Sequence, residues 1–143
     1  MSTNESRVIR FIPPESLKPW DFYRNGILEI VEKSEGRVSF IPEDIYYHIK
    51  TGRAFLYRVA DEGFFVVEKC IDSISADVYM NVWLMWFKPG EGLKFKDELI
   101  AYLDQMAKVA GCAWIDFGST REAWVKLLEK DFKKHMVTLR RVA

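Results

Sequence analysis

The feature that most constrains the fold is a strand, loop, helix and strand in succession over residues 77–118. The run "DVYMNVWLMWF" is nearly all apolar, which predicts a central strand, Val78 to Phe87, covered on both faces. A loop with two glycines follows, then an amphipathic helix, and then the short apolar segment "CAWIDFG". Two strands joined through a helix run parallel, so this unit predicts a parallel pair within the sheet.

The N-terminal third predicts one strand and two helices. Alternating apolar and charged residues indicate a first strand, Val8 to Ile12, which two prolines end. A helix with Ser16 as its cap is expected next, with a bend at Asn25–Gly26 and an end at Gly36. The segment "IPEDIYYHIKTG" predicts a second, compact helix with proline at its first position.

The remaining segments complete one mixed α/β domain. A hairpin is expected from Phe55 to Val59 and from Phe64 to Cys70, around the turn "ADEG". Apolar residues at helical spacing predict a helix from Lys94 to Ala110, a further helix in "REAWVKLLEKDFKK" and a final strand in "MVTLRR". The whole chain, 1–143, is expected to form a single domain with a mixed central sheet and helices on both faces.

Charge and composition exclude several functional classes from the expectation. Lysine plus arginine equals aspartate plus glutamate, 21 each, so no nucleic-acid partner is predicted. The polar start and the lack of a long apolar run predict no signal peptide, no membrane span and a cytoplasmic protein. Cys70 and Cys112 show no metal-ligand spacing, so no metal site is expected. The 15% aromatic content is compatible with a packed core and with a surface for a partner.

From Asp77 to Phe132 the elements and the glycine loop resemble the GNAT superfamily, the acyl-CoA-dependent N-acyltransferases. Element order extends the resemblance over nearly the whole chain. In that family the central strand and the strand after the long helix splay apart, and the pantetheine of the cofactor lies between them. The pyrophosphate binds to backbone N–H groups of a Q/R-x-x-G-x-G/A loop at the helix start. The resemblance therefore implies a GNAT-like domain with acetyl-CoA or another acyl-CoA as its cofactor.

The loop matches that pattern in part. Gly90 and Gly92 supply G-x-G, Phe87 occupies the position of the family's glutamine or arginine, and Gly92 stands about one turn too far from the helix-ending Gly111. Nearby lysines could meet cofactor phosphates as point charges. The cofactor contacts that the resemblance implies are Phe87, Lys88, Gly90, Gly92, Lys94 and Lys96.

The family's second motif, N-x-x-A-x-x-x-Y followed by G-F, is also incomplete. Ala123 and Phe132 fit it, whereas Thr120, Leu127 and Asp131 stand at the asparagine, tyrosine and glycine positions. The family's tyrosine often protonates the departing CoA thiolate, and Leu127 cannot do so. Short, divergent proteins of this shape also occur among bacteriophage proteins.

A catalytic base in this chemistry is a carboxylate or a water chain. Glu68, on the second hairpin strand, and Asn81, on the central strand, are the expected catalytic residues facing the amine acceptor. Asp72 is a further carboxylate on the same strand. The alternative for each is a solvent-facing strand residue, and His48 is expected to be structural.

Two functions remain open on the sequence. The first is a divergent N-acyltransferase that moves an acyl group from acyl-CoA to an amine. The second is a non-catalytic protein on the same fold, such as a phage assembly, virion or host-interaction factor with a protein partner. The intact strand–loop–helix unit favours the first; Leu127, the shifted glycines and the aromatic excess favour the second. The sequence therefore leaves open whether the chain is an enzyme, which acceptor it takes and its oligomeric state.

Overall fold

A computed structural model describes residues 8–118, 122–133, 135–137 and 139–141. Short 3-10 helices lie at Pro14–Ser16, before the first α-helix, and at Gly92–Phe95, before the third. In chain order the strands and α-helices are β1 (Ile9–Ile12), α1 (Asp21–Lys33), α2 (Pro42–Lys50), β2 (Phe55–Val59), β3 (Gly63–Ile71), β4 (Val78–Phe87), α3 (Lys96–Ala110), β5 (Ile115–Phe117) and α4 (Glu122–Leu128).

The five strands form one mixed sheet. Their spatial order is β1-β2-β3-β4-β5, which is also their order in the chain. The first three pairings are antiparallel. Short connections join β2 to β3 and β3 to β4, whereas α1 and α2 lie between β1 and β2. β5 runs parallel to β4, because α3 carries the chain back along the sheet before β5 begins. The expected mixed sheet with a parallel pair is confirmed.

Helices cover both faces of the sheet, each over its own buried cluster. One face, here called the α1/α2 face, packs Ile27 of α1 and Ile45 of α2 against sheet residues such as Phe64 and Leu84. The other, the α3 face, packs α3 against residues of the opposite strand alternation, with Trp124 of α4 beside it. The sheet is thus buried between two layers over most of its length.

The spacing of apolar residues determines which side of α3 is buried. Leu99, Leu103 and Ala107 are buried and lie four residues apart, so they form one stripe along the helix. Asp97 and Glu98 lie in the first turn, where negative charge is favourable. Gly111 follows with φ +71°, the left-handed conformation that ends helices. The expected packing of this helix on the central strand is confirmed.

The first helix differs from expectation at its start and in its middle. Ser16 lies in the 3-10 helix, and α1 begins only at Asp21, beyond Pro19, which lacks a backbone N–H. The helix then runs unbroken through Gly26. A Cβ at that position would lie 2.6 Å from Cε1 of Phe64 and 2.9 Å from Cδ2 of Trp86. The glycine therefore permits close packing of α1 on the sheet and does not produce a bend.

The expected final strand, Met136 to Arg141, is wrong for the residues that are described. Residues 136, 137 and 139–141 lie outside any strand. The side chains of Met136 and Leu139 are 75% and 91% exposed. Apolar, β-prone side chains do not produce a strand when no neighbouring backbone pairs with them.

Replacing Leu103 by alanine tests the packing of α3. Its side chain is 1% exposed, so the change leaves a cavity and is expected to lower the free energy of unfolding by about 2–5 kcal/mol. Urea unfolding measures the loss. Gln105→Ala, on the exposed side of the same helix, is the control and should change stability by less than about 0.5 kcal/mol. Equal effects of the two changes would contradict this packing.

Replacing Gly26 by alanine tests the close contact between α1 and the sheet. Alanine favours a helix, but its Cβ would overlap the Phe64 ring, so stability should fall by about 1–3 kcal/mol. Asn25→Ala, one exposed position earlier, has the helix-favouring effect without the overlap and should be neutral or slightly stabilising. A Gly26→Ala protein that unfolds at higher denaturant than the parent would show that the helix is not held this close.

Candidate functional site

The site begins where β4 and β5 separate. Their register pairs only Met80, Asn81 and Val82 with the three residues of β5. β4 continues to Phe87, whereas β5 ends at Phe117, so among the described residues the β5 side of β4 has no strand partner beyond Val82; we call this open edge the wedge. A β-bulge lies at the same level: Val82 and Leu84 pair with adjacent residues of β3, and Trp83 is the extra residue between them. The backbone of β4 is thus open toward β5 from Trp83 onward.

Glu68 and Asn81 meet beside the narrow end of this wedge. They are opposite each other in the β3–β4 register, and Nδ2 of Asn81 donates a hydrogen bond to Oε1 of Glu68 over 2.8 Å. Met80 and Val82 are buried in the cluster on the α3 face, so strand alternation directs Asn81 to the α1/α2 face. The structure therefore brings the two expected catalytic residues into direct contact, half-buried and one residue from the end of the β4–β5 pairing.

The same sheet face carries further polar and aromatic groups. Asp116 of β5 is in register with Asn81, and Trp114 stacks on Tyr79 with ring centroids 5.1 Å apart. Burial, and next the carboxylate of Glu68, raise the pKa of the Cys70 thiol, which lies opposite Tyr79. None of these side chains belongs to the buried cluster under α1 and α2. Sequence reasoning missed Asp116, which only the strand register places beside Asn81.

Two aromatic contacts extend this surface toward α2. The ring of Trp83, the bulge residue, meets His48 edge-on at 5.1 Å and Phe40 at 5.9 Å. Nδ1 of His48 lies 2.8 Å from the carbonyl oxygen of Asp44. A carbonyl only accepts, so Nδ1 donates, and in the neutral ring the lone pair is on Nε2. His48 was expected to be structural; its hydrogen bond within α2 fits that role, and its ring also borders the wedge.

Asp72, the other carboxylate considered for this face, accepts hydrogen bonds from the backbone of its own turn. Its Oδ1 accepts the backbone N–H groups of Ile74 and Ser75, each over 2.9 Å. These hydrogen bonds lower the pKa of the Asp72 carboxyl. The residue closes the turn between β3 and β4 and is not part of the site.

A pocket lies between the glycine loop and α4. Its volume is about 330 Å³, near the small end of the range for ligand sites. Gly90 in this loop has φ +77°, which favours glycine. We call this the loop pocket; its lining residues are Gly90, Gly92, Leu93, Trp124 and Leu127.

Two of the three lysines expected to meet phosphates are paired with carboxylates. Lys94 forms an ion pair with Glu91, whose hydrogen bond and charge raise the pKa of the Lys94 ammonium. Lys96 Nζ lies 3.1 Å from Oδ2 of Asp131, and its side chain is only 17% exposed. Lys88 is exposed, and its backbone N–H donates to the carbonyl oxygen of Glu62. The three lysines surround the loop, but two already have anionic partners.

Phe87 lies in the core and not at the pocket surface. It is 9% exposed and stacks between Phe95 and Trp124, with ring centroids 5.9 Å away on each side. Trp124 also approaches Phe117 of β5 at 6.2 Å, so it spans the ends of the two separating strands. A Cβ on Gly92 would lie 3.0 Å from Cη2 of Trp124. The structure thus gives the Phe87 side chain a packing role, and the cofactor contact expected of this residue stays a prediction.

The described residues contain neither a group of metal ligands nor a membrane-spanning helix. Among those residues, no three histidine, cysteine, aspartate or glutamate side chains are grouped as metal ligands. Over the same part of the chain, every helix is too short or too polar to cross a membrane.

Known proteins resemble this chain in structure only. No protein-family model and no curated protein matches its sequence. A ribosomal-protein-alanine N-acetyltransferase from Brucella melitensis biovar Abortus 2308 superposes with a TM-score of 0.68 and 13% identity, over 94% of this chain and 96% of that one. A GNAT family acetyltransferase from Staphylococcus aureus superposes with a TM-score of 0.64 and 10% identity, over 95% and 98%. The chain has the GNAT fold.

A third GNAT-fold relative is an aminoglycoside acetyltransferase from an uncultured soil metagenomic sample. It superposes with a TM-score of 0.68 and 9% identity, over 94% of this chain and 96% of that one. Identities this low show the fold and leave the chemistry to the site itself. The resemblance implied that the strands before and after the long helix splay; the pairing of β4 with β5 ends at Val82, and the splay itself stays a prediction.

Proposed function

We propose that this GNAT-fold protein is an N-acyltransferase that moves an acyl group from acyl-CoA to an amine. The observation that carries the proposal is the position of the Glu68–Asn81 pair, beside the point where β4 and β5 separate. A carboxylate there can serve an amine approaching along the α1/α2 face. The GNAT fold of the structural relatives supports the same class of reaction.

The wedge and the loop pocket fit the pantetheine arm of such a donor. From Trp83 onward, β4 offers backbone groups toward β5 that no described strand occupies, as amide-containing ligands require. The loop pocket continues from the glycines toward α4 and is largely apolar. When bound, the thioester supplies an activated acyl carbon. The residues that would hold its arm are the backbone of β4 beyond Val82 and the glycines at 90 and 92.

Glu68 is the proposed proton acceptor. An amine attacks in its neutral form, and its nitrogen becomes positively charged as the new bond to the acyl carbon forms. A base must therefore accept a proton from this nitrogen. Asn81 donates to Oε1 of Glu68 and fixes the carboxylate, which keeps lone pairs for the amine. Backbone N–H groups along the open edge of β4 can stabilise negative charge on the acyl oxygen. Leu127 has no proton to give, so solvent must protonate the departing thiolate.

Specific observations also favour the second function, a non-catalytic protein that binds a protein partner. Lys94 and Lys96 are ion-paired, and Trp124 spans the ends of the separating strands on the α3 face. A phage assembly, virion or host-interaction role is compatible with such a closed site. The cytoplasmic location and the bacteriophage origin stay predictions from the sequence.

Glu68→Gln separates the two functions. Glutamine can still accept the hydrogen bond from Asn81, but it cannot take a proton at neutral pH, so the acyl-transfer rate should fall by about 10²–10⁴-fold. The measurement is thiol release from acetyl-CoA across a panel of primary amines. Asp104→Asn, which removes one exposed carboxylate on α3, should retain the parent rate.

Thermal unfolding of both variants checks that neither change has altered the fold. A parent protein that releases no thiol with any amine in the panel would remove the enzymatic proposal. A fully active Glu68→Gln protein would keep the reaction but assign the base to another group.

A further inference from the structure

The lysines of the glycine loop are matched by carboxylates. Within residues 88–98, three lysines stand among three carboxylates. Two more carboxylates come from other parts of the chain: Glu62, which acts electrostatically on Lys94, and Asp131, which pairs with Lys96. Counted with these two partners, the three loop lysines face five carboxylates, so the loop offers no excess of positive charge to a polyanion.

The paired lysines are not equally free to change partners. Lys94 is 64% exposed, so its ion pair with Glu91 is a surface interaction that a competing anion can displace. Lys96 is mostly covered, with Asp131 at 3.1 Å, and cannot leave that carboxylate without losing buried contacts. Asp97 and Glu98 also occupy the first turn of α3, where the helix would otherwise attract an anion.

The pocket itself offers little to a phosphate. Besides the two glycines, its lining is formed by the apolar side chains of Leu93, Trp124 and Leu127. Such a lining suits an uncharged chain of methylene and amide groups, because apolar contacts are gained and no ion loses its water. The backbone around the wedge can pair with the amides of that chain.

We propose that this site recognises its donor through the uncharged acyl-pantetheine arm, and that the nucleotide phosphates of CoA add no affinity. The inference rests on the proposed acyl-transfer function, since it concerns the donor of that reaction. Its basis is the ion-paired lysines, the carboxylates that match the loop lysines and the apolar lining of the loop pocket.

Calorimetric titration without an acceptor tests the inference on the parent protein. Acetyl-CoA and acetyl-pantetheine are titrated separately at about 0.05 M and about 0.3 M salt. At low salt, acetyl-CoA should bind no more tightly than acetyl-pantetheine, because the loop has no excess of positive charge for its phosphates. There is then no attraction for salt to screen, so added salt should not weaken the binding of acetyl-CoA, and the dissociation constant of acetyl-pantetheine should not change.

Two variants each release one lysine from its ion pair and should create the missing selectivity. Glu91→Gln frees Lys94, and Asp131→Asn frees Lys96. Each should tighten acetyl-CoA binding by about tenfold at low salt and leave acetyl-pantetheine unchanged, because only the former carries phosphates. Asp104→Asn removes the same charge from an exposed position of α3 and is the control. Glu91 belongs to the loop and makes its ion pair within it, so its variant is informative even if Asp131→Asn loosens the packing of α4.

Two results would overturn the inference, and they differ in what else they remove. Acetyl-CoA that binds more than about 30-fold tighter than acetyl-pantetheine, weakens with salt, and loses this advantage in Lys94→Gln or Lys96→Gln would show a working phosphate site. The acyltransferase proposal would then stand. Failure of both thioesters to bind at any salt concentration would remove the donor inference and the proposed function together.

Discussion

The short pairing between β4 and β5 is the constraint on which the site depends. Three register pairs hold the strands together, and the bulge at Trp83 begins where those pairs end. A bulge interrupts the regular pairing and adds local twist to its strand, here at the level where β5 ends. The backbone edge of β4 left open beyond Val82 is the part of the sheet that has hydrogen-bonding groups available for a ligand.

Aromatic packing on the α3 face joins the end of β4 to the end of β5. Phe87 at the end of β4 and Phe117 at the end of β5 both contact the indole ring of Trp124, so this ring connects the two strand ends beyond their last register pair. The same ring lies against Gly92 and lines the loop pocket. The side chain of Trp124 thus serves both the packing of the core and the lining of the pocket. Its closeness to Gly92 leaves little room for a Cβ at position 92.

Local patterns in the sequence predicted most of the architecture. The bounds of β4 and the buried stripe of α3 follow from hydrophobicity alone, because both elements are long and regular. The Glu68–Asn81 contact was anticipated only as two residues on one face; their hydrogen bond depends on the β3–β4 register, which the bulge shifts. The Lys96–Asp131 pair joins residues far apart in the chain, so no local pattern could reveal it.

The two halves of the candidate site depart to different degrees from the residue pattern that the GNAT resemblance implies. On the α1/α2 face, where the amine would bind, a carboxylate and an amide are already joined by a hydrogen bond beside the wedge. On the α3 face, where the resemblance implies that CoA phosphates would bind, the glycines are present but two of the three lysines are already paired with carboxylates. Backbone geometry survives there because the loop must still connect β4 to α3, whereas side-chain charge on the surface can change without cost to the fold. For the proposed reaction, such a site would retain a carboxylate on the acceptor side and offer little free positive charge to the phosphates of the donor.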